Sequence, residues 1–180
     1  VAQLRQANMW SRTLFLFMGD NGAPVACGVE WCAGSNAPYR GGKGTLWEGG
    51  VRAPAILAGG WLPRVQHGKR LAGLCHMVDW YATFCSLSGG PCVERDSGSA
   101  PADGLDLSPW LSGAVGRSPR ERIVLEHSPI PPQQPRRQKN DQPPAGPVFA
   151  NATGALLVGH WKLVHGRQAY DGWYGDFSPN

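Results

Sequence analysis

The run Thr13-Leu14-Phe15-Leu16-Phe17-Met18 ends abruptly at Gly19-Asp20-Asn21-Gly22. Its apolar residues are largely continuous and do not alternate with polar ones. That pattern suits a strand buried on both faces, as in a parallel sheet. So short a run does not by itself exclude a helix, but the glycine and the Asp-Asn-Gly cluster stop it at once. In open α/β sheets, ligands gather beyond the carboxyl ends of the strands. Asp20 and Asn21 therefore stand where function is expected. A carboxylate and an amide oxygen suit Ca²⁺ or Mg²⁺ better than a soft metal. The same three residue types are also turn formers, so a plain turn competes with the metal reading.

About one loop later comes Arg40-Gly41-Gly42-Lys43-Gly44-Thr45-Leu46-Trp47-Glu48-Gly49-Gly50-Val51-Arg52. Glycines on both sides let the backbone around Lys43 approach a ligand closely. Its ammonium can serve a sulfate or phosphate as a point charge. This is not a P-loop: Ala37 stands where that motif begins with Gly, and Gly44 follows the lysine where Ser or Thr is required. Taken alone, the segment also reads as a surface loop with solvated Arg40 and Lys43.

The combination carries a resemblance. Asp20-Asn21-Gly22, Gly34-Ser35-Asn36, Pro38 and Arg40 through Pro54 resemble the second half of a type I sulfatase, closest to the arylsulfatase B-like group. The likeness continues through His76-Met77-Val78-Asp79-Trp80-Tyr81-Ala82-Thr83, Asp103-Gly104-Leu105-Asp106 and Gly159-His160-Trp161-Lys162-Leu163. It implies an alkaline-phosphatase-like α/β fold. The later part of the catalytic domain would occupy residues 1–115, and part of a C-terminal subdomain residues 116–180, with a proline-rich insertion at 131–147. It implies that Asp20 and Asn21 are Ca²⁺ ligands and that Lys43 binds the sulfate group of a sulfate ester. Trp47, Glu48, Gly49 and Gly50 match the segment that supports this lysine, and no catalytic role is assigned to them. The loop with Cys27 and Cys32, and Ala23 where a second Gly is common, depart from the pattern.

The nucleophile implied by the resemblance is a formylglycine made from the cysteine of a Cys-x-Pro-x-Arg segment. None of the five cysteines has that context. The early paired aspartates of the family, with its active-site Lys and His residues, are also unmatched. The chain opens Val1-Ala2-Gln3 without a signal peptide. The expectation is an internal fragment of a larger sulfatase, inactive alone, whose partner is the missing N-terminal part of the same domain. A phosphate or phosphonate ester hydrolase of the same superfamily, and a non-catalytic protein derived from a sulfatase, are the alternatives.

Composition narrows the classes further. There is no apolar stretch long enough to span a bilayer. The net charge of +4 is modest, and the tightest basic cluster, Arg136-Arg137-Gln138-Lys139, lies inside a Pro- and Gln-rich stretch. That reads as a solvated insertion, not as a nucleic-acid surface. Cys27 with Cys32, and Cys85 with Cys92, are close enough to close small loops, which leaves Cys75 over. Asn151-Ala152-Thr153 is a glycosylation sequon, and with the resemblance it tilts the destination towards secretory, lysosomal or extracellular.

Residues 1–9 read as the end of a helix, and Ala53–Gly59 as a second buried strand. Cys75–Leu87 reads as a helix whose apolar face is Met77, Val78, Tyr81, Phe84, Cys85 and Leu87, ended by Gly89-Gly90-Pro91. His76 and Asp79 within it are given structural roles, capping or packing the helix. Ile123-Val124-Leu125 is a short strand. Leu156–Val158 and Trp161–Val164 flank Gly159-His160 as a possible hairpin. His127 and His160 lack metal-like spacing, and Trp173 and Tyr174 cover an edge or touch substrate.

Overall fold

The computed structural model describes residues 1–24, 34–89, 103–129, 152–166 and 168. In chain order the elements are α1 (Ala2–Gln6), a 3-10 turn (Trp10–Arg12), β1 (Phe15–Met18), α2 (Glu48–Val51), β2 (Ala55–Ala58), a second 3-10 turn (Arg64–Gln66), α3 (Asp79–Ser88), α4 (Ser108–Ser112), β3 (Arg122–Pro129), β4 (Ala152–Val158) and β5 (Trp161–His165). The chain divides into two compact units. One comprises Val1–Phe17 and Ile56–Ile123, the other Met18–Ala55 and Val124–Asn180.

In the first unit β1 pairs with β2 in a two-stranded sheet. Gly59, just after β2, has φ +125°, and a Cβ there would lie 2.0 Å from the Thr13 carbonyl oxygen. Only glycine permits that approach. The expected burial of the first strand on both faces is not found: Phe15 and Phe17 are 50% and 62% exposed, and alternate with half-buried Leu16 and Met18. A strand is covered on both faces only when layers pack on each side of its sheet. Among the described residues nothing covers the outer face of this pair.

The core of the first unit lies around α3 and α4, where Trp80, Leu107, Trp110, Leu111 and Ile123 are buried. The helix expected over Cys75–Leu87 begins later, at Asp79, and turns a different face inward. Asp79, Trp80 and Thr83 are its buried residues, whereas Met77, Tyr81 and Phe84 are exposed. The cause is polar. Asp79 is wholly buried because its carboxylate gathers four groups. It accepts from His76 N–H at 2.8 Å, from Leu105 N–H at 2.9 Å, from Arg120 Nε at 2.7 Å and from Arg120 Nη2. Thr83, one turn on, donates to the Asp79 carbonyl and accepts from Leu107 N–H at 3.0 Å. These bonds turn the polar edge of the helix towards residues 103–107 and leave part of its apolar edge outside. The helix ends at Gly89, φ +71°, a left-handed cap; Gly90 and Pro91 lie outside the described residues. The structural role expected for Asp79 and His76 holds.

The second unit contains the sheet β3-β4-β5. β4 and β5 are antiparallel, with Val158 opposite Trp161 and Leu156 opposite Leu163, so Gly159-His160 is the two-residue turn that the spacing predicts. The inward face carries buried Thr153 and Ala155, and Leu46 is buried in the same unit. Cys27, Cys32, Cys92, the stretch 131–147, Asn151, Trp173 and Tyr174 lie outside the described residues, as does the side chain of His127.

The Asp79–Arg120 pair makes a stability prediction. Burial alone would raise the Asp79 pKa, but the Arg120 guanidinium and the two backbone N–H donors outweigh it and hold the carboxyl below its usual range. A lowered folded pKa stabilises above the unfolded value, near 4, and that contribution is lost as pH falls through the folded value. Asp79→Asn or Arg120→Met should each cost about 3–5 kcal/mol, because one buried charge is left without its partner. Urea unfolding at pH 7 reads this. Between about pH 4 and pH 2, Asp79→Asn should lose stability less steeply than the parent chain.

Candidate anion and cation site

The site is assembled within the second unit from two segments, Gly19–Ala23 and Asn36–Gly50. Asp20 follows β1 and is exposed; Asn21 is half-buried. The Asp20 carboxylate accepts the Asn21 backbone N–H at 2.9 Å, and the Asn21 amide nitrogen donates to the Gly22 carbonyl at 2.9 Å. With its nitrogen so committed, the oxygen is the atom of Asn21 that chemistry offers to a cation. The pair is thus a preformed turn that presents oxygen donors. The turn reading is observed.

The glycine-rich segment folds over this turn at backbone contact. Gly22 N–H donates to Gly50 O at 2.9 Å, and Lys43 N–H donates to Ala23 O at 3.1 Å. A Cβ at residue 22 would lie 1.7 Å from Gly49 O. One at residue 49 would lie 2.2 Å from Gly41 O, and one at residue 50 would lie 2.2 Å from Thr45 O. No side chain fits at these three positions. The four-residue helix α2 therefore packs backbone to backbone against both the Asp20 turn and the loop around Lys43. Gly41, φ +78°, and Gly44, φ +88°, bend that loop.

Asn36 stitches the two segments together. Its Oδ1 accepts Ala23 N–H at 2.7 Å, and its Nδ2 donates to Ala23 O at 2.9 Å and to Gly41 O at 3.3 Å. One amide side chain thereby fixes the residue two after Asn21 and the residue two before Lys43. Thr45, buried, donates its hydroxyl to Gly42 O at 2.8 Å and closes the loop from the other side.

The charges in this loop are divided. The Arg40 guanidinium lies 4.0 Å from the centre of the Trp47 ring, and that of Arg52 lies 4.9 Å from the Tyr39 ring and 3.3 Å from Glu48. Both belong to the loop's own structure. Lys43 is exposed on a backbone whose neighbours Gly41, Gly42, Thr45 and Leu46 are buried. Among the described residues no ion pair holds it. The arrangement offers a lysine on a hydrogen-bonded loop tied to a turn with oxygen-bearing side chains, residue types that suit a tetrahedral anion and a hard metal ion.

The structure thus brings Asp20, Asn21 and Lys43 into one assembly, tied by direct backbone bonds. It shows no group of three or more His, Cys, Asp or Glu side chains fit for a metal among the described residues. Asp20 and Asn21 match a hard cation in donor type, but two side chains leave most of its coordination to other groups. Sequence reasoning missed the task of Asn36. The signal available to it was Gly34-Ser35-Asn36, upstream of Pro38, but nothing in spacing tells which backbone groups an amide will meet. Cys75 is exposed as a residue, yet local burial, with the Asp79 carboxylate second, pushes its thiol up to about 11. It is a poor nucleophile at neutral pH.

Comparisons with known proteins point to one family. A family model described as Sulfatase matches residues 1–90. Arylsulfatase J from Mus musculus is 32% identical over 184 residues, covering 98% of this chain and 28% of that protein. Steryl-sulfatase from Homo sapiens is 38% identical over 122 residues, covering 66% of this chain and 19% of that protein. Among solved structures, the PsFucS1 sulfatase from Pseudoalteromonas sp. superposes with a TM-score of 0.63 at 26% identity, over 90% of this chain and 26% of that one. The chain spans less than a third of the length of each of these relatives.

Asn36 is the point at which the assembly can be probed. Asn36→Ala removes the partner of Ala23 N–H and Gly41 O and leaves Ala23 O with the Lys43 N–H alone, and should cost about 1–3 kcal/mol. Hydrogen exchange at the Lys43 amide, bonded to Ala23 O, should accelerate in the same variant. Asn36→Asp keeps the acceptor for Ala23 N–H but sets a second carboxylate oxygen against two carbonyls, so urea unfolding should show no rescue.

Proposed function

This chain belongs to the sulfatase family, with the alkaline-phosphatase-like fold of that family, and we propose that it carries half of the site of a sulfuric ester hydrolase. Lys43 is the cation for the sulfate group, and Asp20 and Asn21 are oxygen donors that would hold Ca²⁺. The observation that supports the reading most is the Lys43 N–H bond to Ala23 O, which with Asn36 ties the anion loop to the donor turn.

The chemistry follows from charge. A sulfate ester keeps its negative charge on non-bridging oxygens, and charge builds on the leaving oxygen as the S–O bond breaks. Lys43 would meet a sulfate oxygen as a compact point charge, neutralising it in the ground state and as charge shifts in the transition state. Its loop backbone is held by hydrogen bonds to the Asp20 turn, so the reorganisation is confined to the lysine side chain. A bound Ca²⁺ would supply further neutralisation of the same anion. The nucleophile and the remaining ligands come from polypeptide outside these residues: no cysteine here has the Cys-x-Pro-x-Arg context, and Asp20 and Asn21 fill only part of a Ca²⁺ shell. The Asn151-Ala152-Thr153 sequon supports a secretory destination. Among the described residues no helix is long and apolar enough to cross a membrane.

Two measurements test the reading. The purified chain, given an aryl sulfate and Ca²⁺, should show no turnover above a Lys43→Ala control; turnover above it would refute the half-site. In an active enzyme that contains this segment, Lys43→Ala should raise KM and lower kcat together, by about a hundredfold or more in kcat/KM. Lys43→Arg should rescue poorly, because a planar fork replaces a point charge. Arg40→Ala should act through loop stability, since Arg40 is stacked on Trp47. Near-parental efficiency of Lys43→Ala would return Lys43 to a solvated loop residue.

A further inference from the structure

We propose that Lys162 and Gln168 are positioning residues for the Lys43 loop, so that the strand β5 and the residues after it brace the sulfate-binding segment. The inference rests on the reading of Lys43 as the sulfate-binding cation. Lys162 Nζ donates to Glu48 Oε1 at 2.8 Å, and the two side chains are only 15% and 31% exposed. Gln168 is buried, and its Oε1 accepts the Leu46 N–H at 2.8 Å, across 122 residues of sequence.

Each contact enters the loop at a point that controls Lys43. Leu46 is three residues beyond it. Glu48 is the first residue of α2, and α2 is the element whose Gly49 and Gly50 press against residues 40–42 and 45 with no room for a Cβ. Any tilt of α2 must therefore move the carbonyls of Arg40, Gly41 and Gly42, which lead into Lys43. Gly49 N–H also donates to Arg40 O at 2.7 Å, which closes the same linkage. A four-residue helix cannot hold its own orientation. Lys162 fixes that orientation from one end, and Gln168 occupies a backbone donor that would otherwise be buried without a partner. Lys162 is strand-borne, and its neighbours Trp161 and Leu163 face outward, 84% and 66% exposed. The strand's alternation thus sends the charged side chain inward to Glu48. Its ammonium is spent on that carboxylate, which separates its role from that of Lys43.

The test uses the whole chain and inorganic sulfate, followed by NMR at the amides of Gly42, Lys43 and Gly44. Amide hydrogen exchange at Leu46, Gly49 and Gly50 is measured in parallel. Lys162→Met should weaken sulfate about tenfold and speed exchange at those three amides about as much. Lys162→Arg should restore most of both. Gln168→Ala should speed exchange at Leu46 above all. Protection within α3 and across the β4–β5 pairs should stay as in the parent. Unchanged exchange in Lys162→Met overturns the brace, and faster exchange with unchanged sulfate affinity overturns its positioning role. If Lys162→Met loses protection throughout, the swapped pair Glu48→Lys with Lys162→Glu decides: recovery of the sulfate response supports the inference, and its absence overturns it. A different result marks failure of the underlying reading. If the parent chain shows no sulfate response at residues 42–44, or Lys43→Ala leaves it intact, Lys43 is not the anion site and the inference falls with it.

Discussion

The second unit depends on backbone packed against backbone at Gly22, Gly49 and Gly50. With no side chain between them, α2, the Asp20 turn and the loop of Lys43 lie at the closest approach that peptide groups allow. Their hydrogen bonds run directly from one segment to another. This is why so short a helix and so glycine-rich a loop can hold one conformation. Glycine adds conformational freedom to the unfolded chain and so opposes folding. Here that freedom is offset by peptide groups that satisfy one another, by the Asn36 amide, and by the stacked cations Arg40 and Arg52. A charged side chain on such a loop can stay exposed while its backbone is buried.

The first unit uses a different device for a similar end. Asp79 sits at the start of α3 and draws Arg120 and the N–H groups of His76 and Leu105 onto one carboxylate. A buried ion pair is weak evidence of net stability, since desolvation offsets much of the attraction. Its effect here is specific: it selects which face of α3 turns inward. The apolar periodicity of residues 77–87 favours a different face, and the exposed Tyr81 and Phe84 show that the polar cluster prevailed.

What was legible in the sequence follows from the same distinction. Local punctuation was readable: Gly19-Asp20-Asn21-Gly22 ends β1, Gly89 ends α3, and Gly159-His160 turns β4 into β5. The resemblance to sulfatases singled out Asp20, Asn21 and Lys43, and the structure joins their segments by backbone hydrogen bonds. Burial was less legible. Phe15 and Phe17 read as interior residues, but a two-stranded sheet leaves a face open unless another layer meets it. The bracing residues were not legible at all. Asn36, Lys162 and Gln168 are ordinary polar residues whose partners are backbone groups or a carboxylate far away in sequence. No periodicity marks an amide that will pair with a peptide group 122 positions off.

The distribution of cations around the loop follows from these constraints. Arg40 is held over Trp47, and Arg52 and Lys162 both reach Glu48, so three of the four cations are engaged within the protein. Had Glu48 been apolar, Arg52 and Lys162 would stand without their carboxylate partner beside α2. Glu48 therefore does two things at once. It ties α2 to β5, and it neutralises the positive charge of Arg52 and Lys162. With Arg52 and Lys162 neutralised, the proposed anion site is left with Lys43 as its exposed ammonium, on a side chain that can adjust to the anion. Specificity of this kind requires neutralising the alternatives as well as placing the ligand.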